Sequence, residues 1–325
     1  MFRKFIAVSA LSGLAACGGG EFLFPTDGNG GGTTGDPTTP GTNPGTVVDP
    51  ISQGVPDSLA KNLKSINFNP GNDTITVEIA SLDTTPLTAT YARRPSLDIN
   101  GYTAFAVQED SLDRLFVALV DESDDGSVKA GVVGDGGQFG RFFSGGYYTR
   151  EGAFNRPVIG TGPGAGQVSY AGNYAALVNG GGDGSELLPV PSPGTVDPVL
   201  LPRQPGQISG SIFINANFAD NSVNGAVYDR ILVDTGLTLD SIILLPTDIA
   251  ANGTFLGNVE YEGQRQDIGD YGGIFGGTGA AGVGGLIALT EFSDGLENEN
   301  ELGVFVLTKC GLPNDAVICD NVAPF

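Results

Sequence analysis

Three cysteines, at positions 17, 310 and 319, are the strongest nucleophiles in this chain, and not one histidine stands beside them. That absence excludes a Ser-His-Asp triad, a Cys–His pair, an HExxH zinc site and histidine-ligated haem. What remains for acid–base work is carboxylate, 37 Asp and Glu against 15 Lys and Arg. Paired carboxylates can hydrolyse glycosides, but at this density some lie near one another by chance. Gly277-x-Gly279-x-x-Gly282 spells the dinucleotide fingerprint, which works only between a strand and a helix start. Val283–Leu289 is β-branched and holds glycine, so no helix is expected there. Gly160-x-Gly162-x-x-Ala165 carries Pro163 inside it. Asp121–Gly126 has the look of a calcium loop, but Val132 falls where a bidentate glutamate is required. It reads as a solvated hairpin tip. No catalytic residue, metal ligand or cofactor is expected, and the chain does not read as an enzyme.

Cys17 has a specific chemistry open to it. Arg3 and Lys4 precede a short apolar run, Phe5–Ala16, too short to span a bilayer as a mature helix. Leu14-Ala15-Ala16-Cys17 resembles a bacterial lipobox, which implies cleavage after a signal peptide of residues 1–16 and a diacylglycerol thioether on Cys17. Several acyl chains at about 0.8 kcal/mol per buried methylene make a stable membrane anchor. Gly18 is not the aspartate that commonly retains such proteins at the inner membrane, so the expected location is the outer membrane, lipid-anchored, at the cell surface, with the periplasmic face open as the alternative. Residues 17–50 are low-complexity Gly, Thr, Pro, Asp and Asn. They cannot bury a core and read as a disordered tether reaching roughly 30 Å. The net charge of −22 repels phosphate backbones and argues against nucleic acid.

The elements that must position these residues are strands. Glycine and proline are abundant, 52 and 20, and many short alternating runs replace helical periodicity, so the chain reads as all-β. Residues 51–155 read as a small antiparallel sheet of about five or six strands. Asp73–Asp83, Thr88–Tyr91, Ser96–Ile99 and Arg114–Asp121 are among its extended runs, and Asn100-Gly101 is a two-residue hairpin signal. The aromatics Phe139, Phe142, Phe143, Tyr147 and Tyr148 read as sheet core or an internal interface, with a binding patch as the alternative. Residues 156–325 supply eight strands, the number that closes a barrel whose interior side chains just fill. Ile208, Ile212, Ile214, Phe255, Val259 and Ile287 are expected inside it, leaving no small-molecule cavity. Gly269–Phe292 reads as two of the strands around a glycine-rich turn, with Gly285 at a bend that has no room for Cβ.

Three motifs carry a family resemblance. Phe275-x-Gly277-x-x-Ala280-x-x-Val283-Gly284-Gly285 resembles F-Y-G-P-x-A-x-E-x-G-G of the transferrin-binding protein B type β-barrel, with Gly276, Thr278 and Gly282 departing from it. Gly166-x-x-x-Tyr170-x-Gly172-x-Tyr174 resembles the family's first barrel strand. Ala216-Asn217-Phe218…Val223-x-Gly225 resembles its second hairpin, with Asn217 where aspartate is usual. The resemblance implies a handle sheet followed by an eight-stranded barrel. It also implies an outer-membrane lipoprotein that binds a protein or other extracellular ligand, in iron or nutrient acquisition. Two other readings stay open: a structural or envelope-interaction lipoprotein, and a carboxylate-dependent glycan hydrolase.

The candidate partner surface is the stretch Gly180–Pro205. It holds five prolines between Pro189 and Pro202, which no strand can run through. Leu187, Leu188, Val190, Leu200 and Leu201 offer apolar anchors there. With Cys17 lipidated, Cys310 and Cys319 remain, in an oxidising compartment, and are expected to form a disulfide.

Overall fold

A computed structural model describes residues 47–48, 54–69, 72–82, 85–162, 164–262, 266–292 and 298–321. The expected signal peptide, Cys17 and nearly all of the tether lie outside the described residues.

The first sheet is an antiparallel meander, each strand paired to the next. Its strands are β1 (Val47–Val48), β2 (Leu63–Asn69), β3 (Thr74–Ile79), β4 (Leu87–Arg93), β5 (Thr103–Val107), β6 (Phe116–Glu122), β7 (Val128–Asp135) and β8 (Ser144–Arg150). That is eight strands where the sequence implied five or six. β1 lies inside the stretch read as tether, pairing Val47 with Asn67. Ser96–Ile99 is not extended. Pro95 opens a 3-10 turn over Pro95–Leu97, as its fixed φ favours. The sheet curls until Asn62 donates its backbone N–H to Ser144 at 2.9 Å, nearly closing it.

The second sheet is a closed barrel of β9 (Gln167–Gly181), β10 (Pro205–Asn217), β11 (Ser222–Leu232), β13 (Ile242–Asp248), β14 (Thr254–Tyr261), β15 (Asp267–Gly276), β16 (Gly282–Thr290) and β17 (Asn300–Lys309), with the short β12 (Leu237–Leu239) added beside β11. β10 pairs with both β9 and β11, and β17 returns to β9, so the circle is complete. Ile208, Ile212, Ile214, Phe255, Val259 and Ile287 all lie in one buried interior cluster. Aromatics fill the centre: Phe275 stacks within 5.1–5.5 Å of Phe218, Phe255 and Tyr170. Tyr170 donates its hydroxyl to Ala280 O at 2.7 Å. The second strand of the glycine hairpin, β16, is buried on both faces. Val283, Ile287 and Leu289 point into the barrel, and Leu286 and Ala288 pack against the first sheet. A Cβ at Gly285 would sit 2.3 Å from Gly272 O, and one at Gly284 would meet Val128 of the first sheet at 2.5 Å. Gly277 and Ala280 turn the chain at positive φ.

The two sheets share a hydrophobic interface, with Leu97, Tyr102, Leu119 and Tyr148 on one side and Leu177, Leu286 and Val304 on the other. The Asn100-Gly101 hairpin is a wedge in it. Both residues take positive φ, the geometry that a two-residue turn requires. The Asn100 Nδ2 donates to Tyr174 O at 2.9 Å and Gly210 O at 2.7 Å. Tyr174 and Gly210 are partners in the β9–β10 ladder, so one side-chain amide bonds two facing carbonyls. Tyr102 donates its hydroxyl to Asn173 O and accepts from Val306 N, each at 3.0 Å. It bridges β9 and β17 where their ladder skips from Phe305 to Thr308.

Candidate binding face of the handle

The proline-rich connection between β9 and β10 does not stand away from the fold. Proline denies it ladder hydrogen bonds and fixes φ, so it runs as bends and two 3-10 turns, Pro193–Thr195 and Pro198–Leu200. Asp197 caps the second, accepting from Val199 N at 3.1 Å. Its start is tied down by Asp183, whose carboxylate accepts from Ser185 N at 2.8 Å and Gln204 Nε2 at 3.2 Å. The Ser185 backbone bond, followed by its side chain, holds that carboxyl below its ordinary value.

From there the segment is strapped across the first sheet. Ser96 donates to Glu186 at 2.6 Å, Leu188 N donates to Gln108 Oε1 at 2.7 Å, and Phe139 N donates to Val199 O at 3.0 Å. Gln138 is buried and uses its Nε2 twice, donating to Leu112 O at 2.7 Å and Leu200 O at 2.6 Å. Arg203 N donates to Gly137 O at 3.2 Å. Of the sequence-derived anchors, Leu187 packs on the sheet–sheet interface, Val190 and Leu201 are half-buried, and Leu188 and Leu200 are exposed. They do find a sheet to join, through the backbone as much as the side chains.

Beside the strap lies a groove of about 320 Å³ lined by Leu82, Leu87, Leu112 and Phe139. All four side chains are exposed. Phe139 is the unexpected one. It sits at φ 56°, a left-handed conformation that is a genuine outlier for a bulky residue. The tight Gln138–Arg141 turn and the bond to Val199 O hold it there. Its ring is 44% exposed. Arg114 fixes the turn from behind, pairing with Asp135 and donating to Gln138 O at 2.7 Å and Arg141 O at 3.0 Å. Its guanidinium lies 4.8 Å over Phe143 and 5.9 Å over Phe139. Burial pushes the Asp135 carboxyl above its ordinary value, with Arg114 opposing. Among the aromatics, Tyr147 and Tyr148 are core, Phe142 and Phe143 half-buried, and only Phe139 faces water. Phe139-Gly140 between Gln138 and Arg141 is a turn signal that could have marked it.

A second, polar groove of about 280 Å³ runs along the junction, lined by Asn100, Asp121, Asp124 and Asn314 among others. Burial pushes the Asp121 carboxyl up to about 6. The Asp121–Gly126 tip is not wholly solvated. Ser123 and Ser127 are buried, and Asp125 Oδ1 accepts from Ser123 Oγ at 2.8 Å and Ser127 N at 3.0 Å. A Cβ at Gly277 of the barrel would approach Asp125 and Ser127 at 2.9 Å. Just after β17, Cys310 and Cys319 are joined by a disulfide, Cα–Cα 5.3 Å.

No family model matches the chain, and no curated protein matches it in sequence. Solved structures of transferrin-binding protein B do match. Intact Ap-TbpB, with its N and C lobes, aligns over 76% of this chain and 54% of its own at 12% identity and TM-score 0.35. A double mutant from Haemophilus parasuis Hp5 aligns over 76% and 54% at 11% identity and TM-score 0.38. The isotype 1 protein from serogroup B Neisseria meningitidis aligns over 78% and 42% at 13% identity and TM-score 0.35. The chain thus spans about half the length of these structures. The handle-plus-barrel architecture rests on the strand pairings described above, and overlays at such TM-scores add no weight to it.

Proposed function

We propose that this protein is a lipid-anchored outer-membrane binding module that captures a protein or other extracellular ligand, in iron or nutrient acquisition. The chain is divided into a signal peptide (1–16), a tether from Cys17 to residue 50 whose end adds β1 to the first sheet, a handle (51–155) and a barrel (156–325). The observation that carries the binding reading is the strap. Leu188, Val199 and Leu200 are exposed on it, and its backbone bonds to Gln108, Phe139 and Gln138 hold them beside Leu82, Leu112 and Phe139. Apolar side chains gathered this way on a preorganised face lose little entropy when a partner covers them. The strained Phe139 backbone supports the same reading, since such strain persists where the surroundings over-determine it and clusters at ligand clamps.

The test is protease added to intact cells. A surface module is shaved from them, and Cys17→Ser releases the protein from membranes or blocks its processing. Full protection on intact cells, with cleavage after the outer membrane is breached, contradicts surface capture. Unchanged fractionation and mature size of Cys17→Ser contradict the anchor.

A further inference from the structure

The handle meander is incomplete along one seam. β4 pairs with β3 from Thr74↔Ala92 through Ile79↔Leu87. On its other side it pairs with β5 only at Ala92↔Ala106 and Arg93↔Phe105. β5 ends at Val107 and the chain turns away through residues 108–115 before β6. Among the described residues, nothing pairs with Leu87–Tyr91 on that side.

The direction of the free groups follows from the ladder. Arg94 N donates to Ala104 O at 2.9 Å, and in an antiparallel pair every second residue bonds the same neighbour. The N–H and C=O of Thr88 and Thr90 therefore point into the opening, and both residues are exposed. Beside this edge lies the groove lined by Leu82, Leu87, Ala89 and Leu112. Leu87–Tyr91 is about 17 Å of strand, enough to seat a short extended peptide. The opposite wall, residues 108–113, exposes Glu109, Asp110 and Asp113. Arg114, the cation that lines the groove, is already paired with Asp135.

We infer that the free side of β4 is a strand-addition site for an extended segment of a partner protein in which apolar residues alternate with Lys or Arg. Its backbone bonds Thr88 and Thr90, its apolar side chains lie on Leu82, Leu87 and Leu112, and its cations face Glu109, Asp110 and Asp113. Main-chain bonds supply the affinity and alternate side chains the selectivity. This inference rests on the binding function proposed above and specifies the partner's chemistry.

The probe is a synthetic seven-residue peptide alternating lysine and valine, blocked at both ends. Added to the full mature lipoprotein in detergent, it slows amide exchange at Thr88 and Thr90 about tenfold at saturation. The same peptide N-methylated at every second residue leaves those amides unchanged, and a glutamate–valine peptide binds at least about tenfold more weakly. Thr90→Pro removes a donor on the open side of β4, where an edge strand tolerates it, and abolishes the protection at Thr88. Should that variant not fold, Leu82→Asp with Leu112→Asp abolishes it from the opposite wall. No protection at millimolar lysine–valine peptide overturns the inference, as does equal protection by the N-methylated or glutamate peptide. Amides already protected without peptide also overturn it. Release on deleting residues 18–46 would assign the groove to the chain's own tether, and concentration dependence would assign it to a second copy. If the peptide fails while strap variants still lose their partner, strand addition is wrong and the binding function stands.

Discussion

Arg230 and Glu301 form an ion pair wholly inside the barrel, both side chains at 0% exposure. Tyr174 donates its hydroxyl to Glu301 at 2.6 Å, Arg230 donates to Asp240 O at 2.7 Å, and the guanidinium lies 5.5 Å over the Phe292 ring. Three strands, β9, β11 and β17, are thereby tied across the lumen. Arg230→Met leaves a buried carboxylate without its partner and is expected to cost about 3–5 kcal/mol. Arg230→Met with Glu301→Leu removes both charges and recovers most of that loss. Denaturant unfolding of the single and double variants measures the difference. A double variant no more stable than the single one would show that the pair is not the coupled unit.

Gly285→Val is expected to cost about 3 kcal/mol. Its Cβ meets backbone, Gly272 O at 2.3 Å, as well as Phe305 Cζ at 2.4 Å, and backbone across a ladder cannot move aside. Thermal melts check this, and an unchanged melting temperature would contradict the packing of β15 on β16.

The junction carboxylate gives a pH signature. Burial raises Asp121 to about 6, above its ordinary value of about 3.9. The folded form therefore holds this proton more tightly than the unfolded chain does. Its contribution favours folding at about pH 4 and is lost as pH rises through about 6. Relative to Asp121→Asn, the wild-type melting temperature is expected to fall between pH 4 and 6 and to stay level above. A difference independent of pH would contradict the burial of this group.

The Cys310–Cys319 bond closes a short loop, and Cys310 N donates to Ser169 O at 2.9 Å on the neighbouring strand. Replacing both by serine is expected to cost about 2–3 kcal/mol. Denaturant midpoints of the variant and the oxidised wild type, both without reductant, measure it.

The barrel was legible because its strands are locally periodic. Ile208, Ile212 and Ile214 mark one face of β10, and the alternation of Val283, Ile287 and Leu289 marks the lumen face of β16. What alternation could not reveal is that the other face of β16 is covered too. Apolar Leu286 and Ala288 between those positions are the trace of two-sided burial. The strap was legible as a long proline-rich stretch, but not as a docked one. Its partners Ser96, Gln108 and Gln138 lie 62–90 residues away and leave no local signal. Phe139 carries the largest surprise, because sequence places an aromatic among aromatics, while the Gln138–Arg141 turn and the tertiary bond to Val199 O hold it outward.

Gln138 is the clamp of that arrangement. Gln138→Ala removes two donated bonds at a buried position, an expected loss of about 2 kcal/mol. The local consequence is more diagnostic: amide exchange across residues 185–203 rises while that of β9 and β10 does not. Equal protection of the strap in the variant would show that the clamp is dispensable.

Binding at the handle face beside the strap is tested by removing its exposed apolar side chains. Its most direct measurement is capture from growth medium by the immobilised wild-type protein, side by side with a Phe139→Asp, Leu200→Asp variant whose melting temperature is unchanged. Both positions are exposed, so folding is expected to survive. A partner retained by the wild type is expected to be lost from the variant. Retention of the same partner in the same amount by both proteins would contradict it.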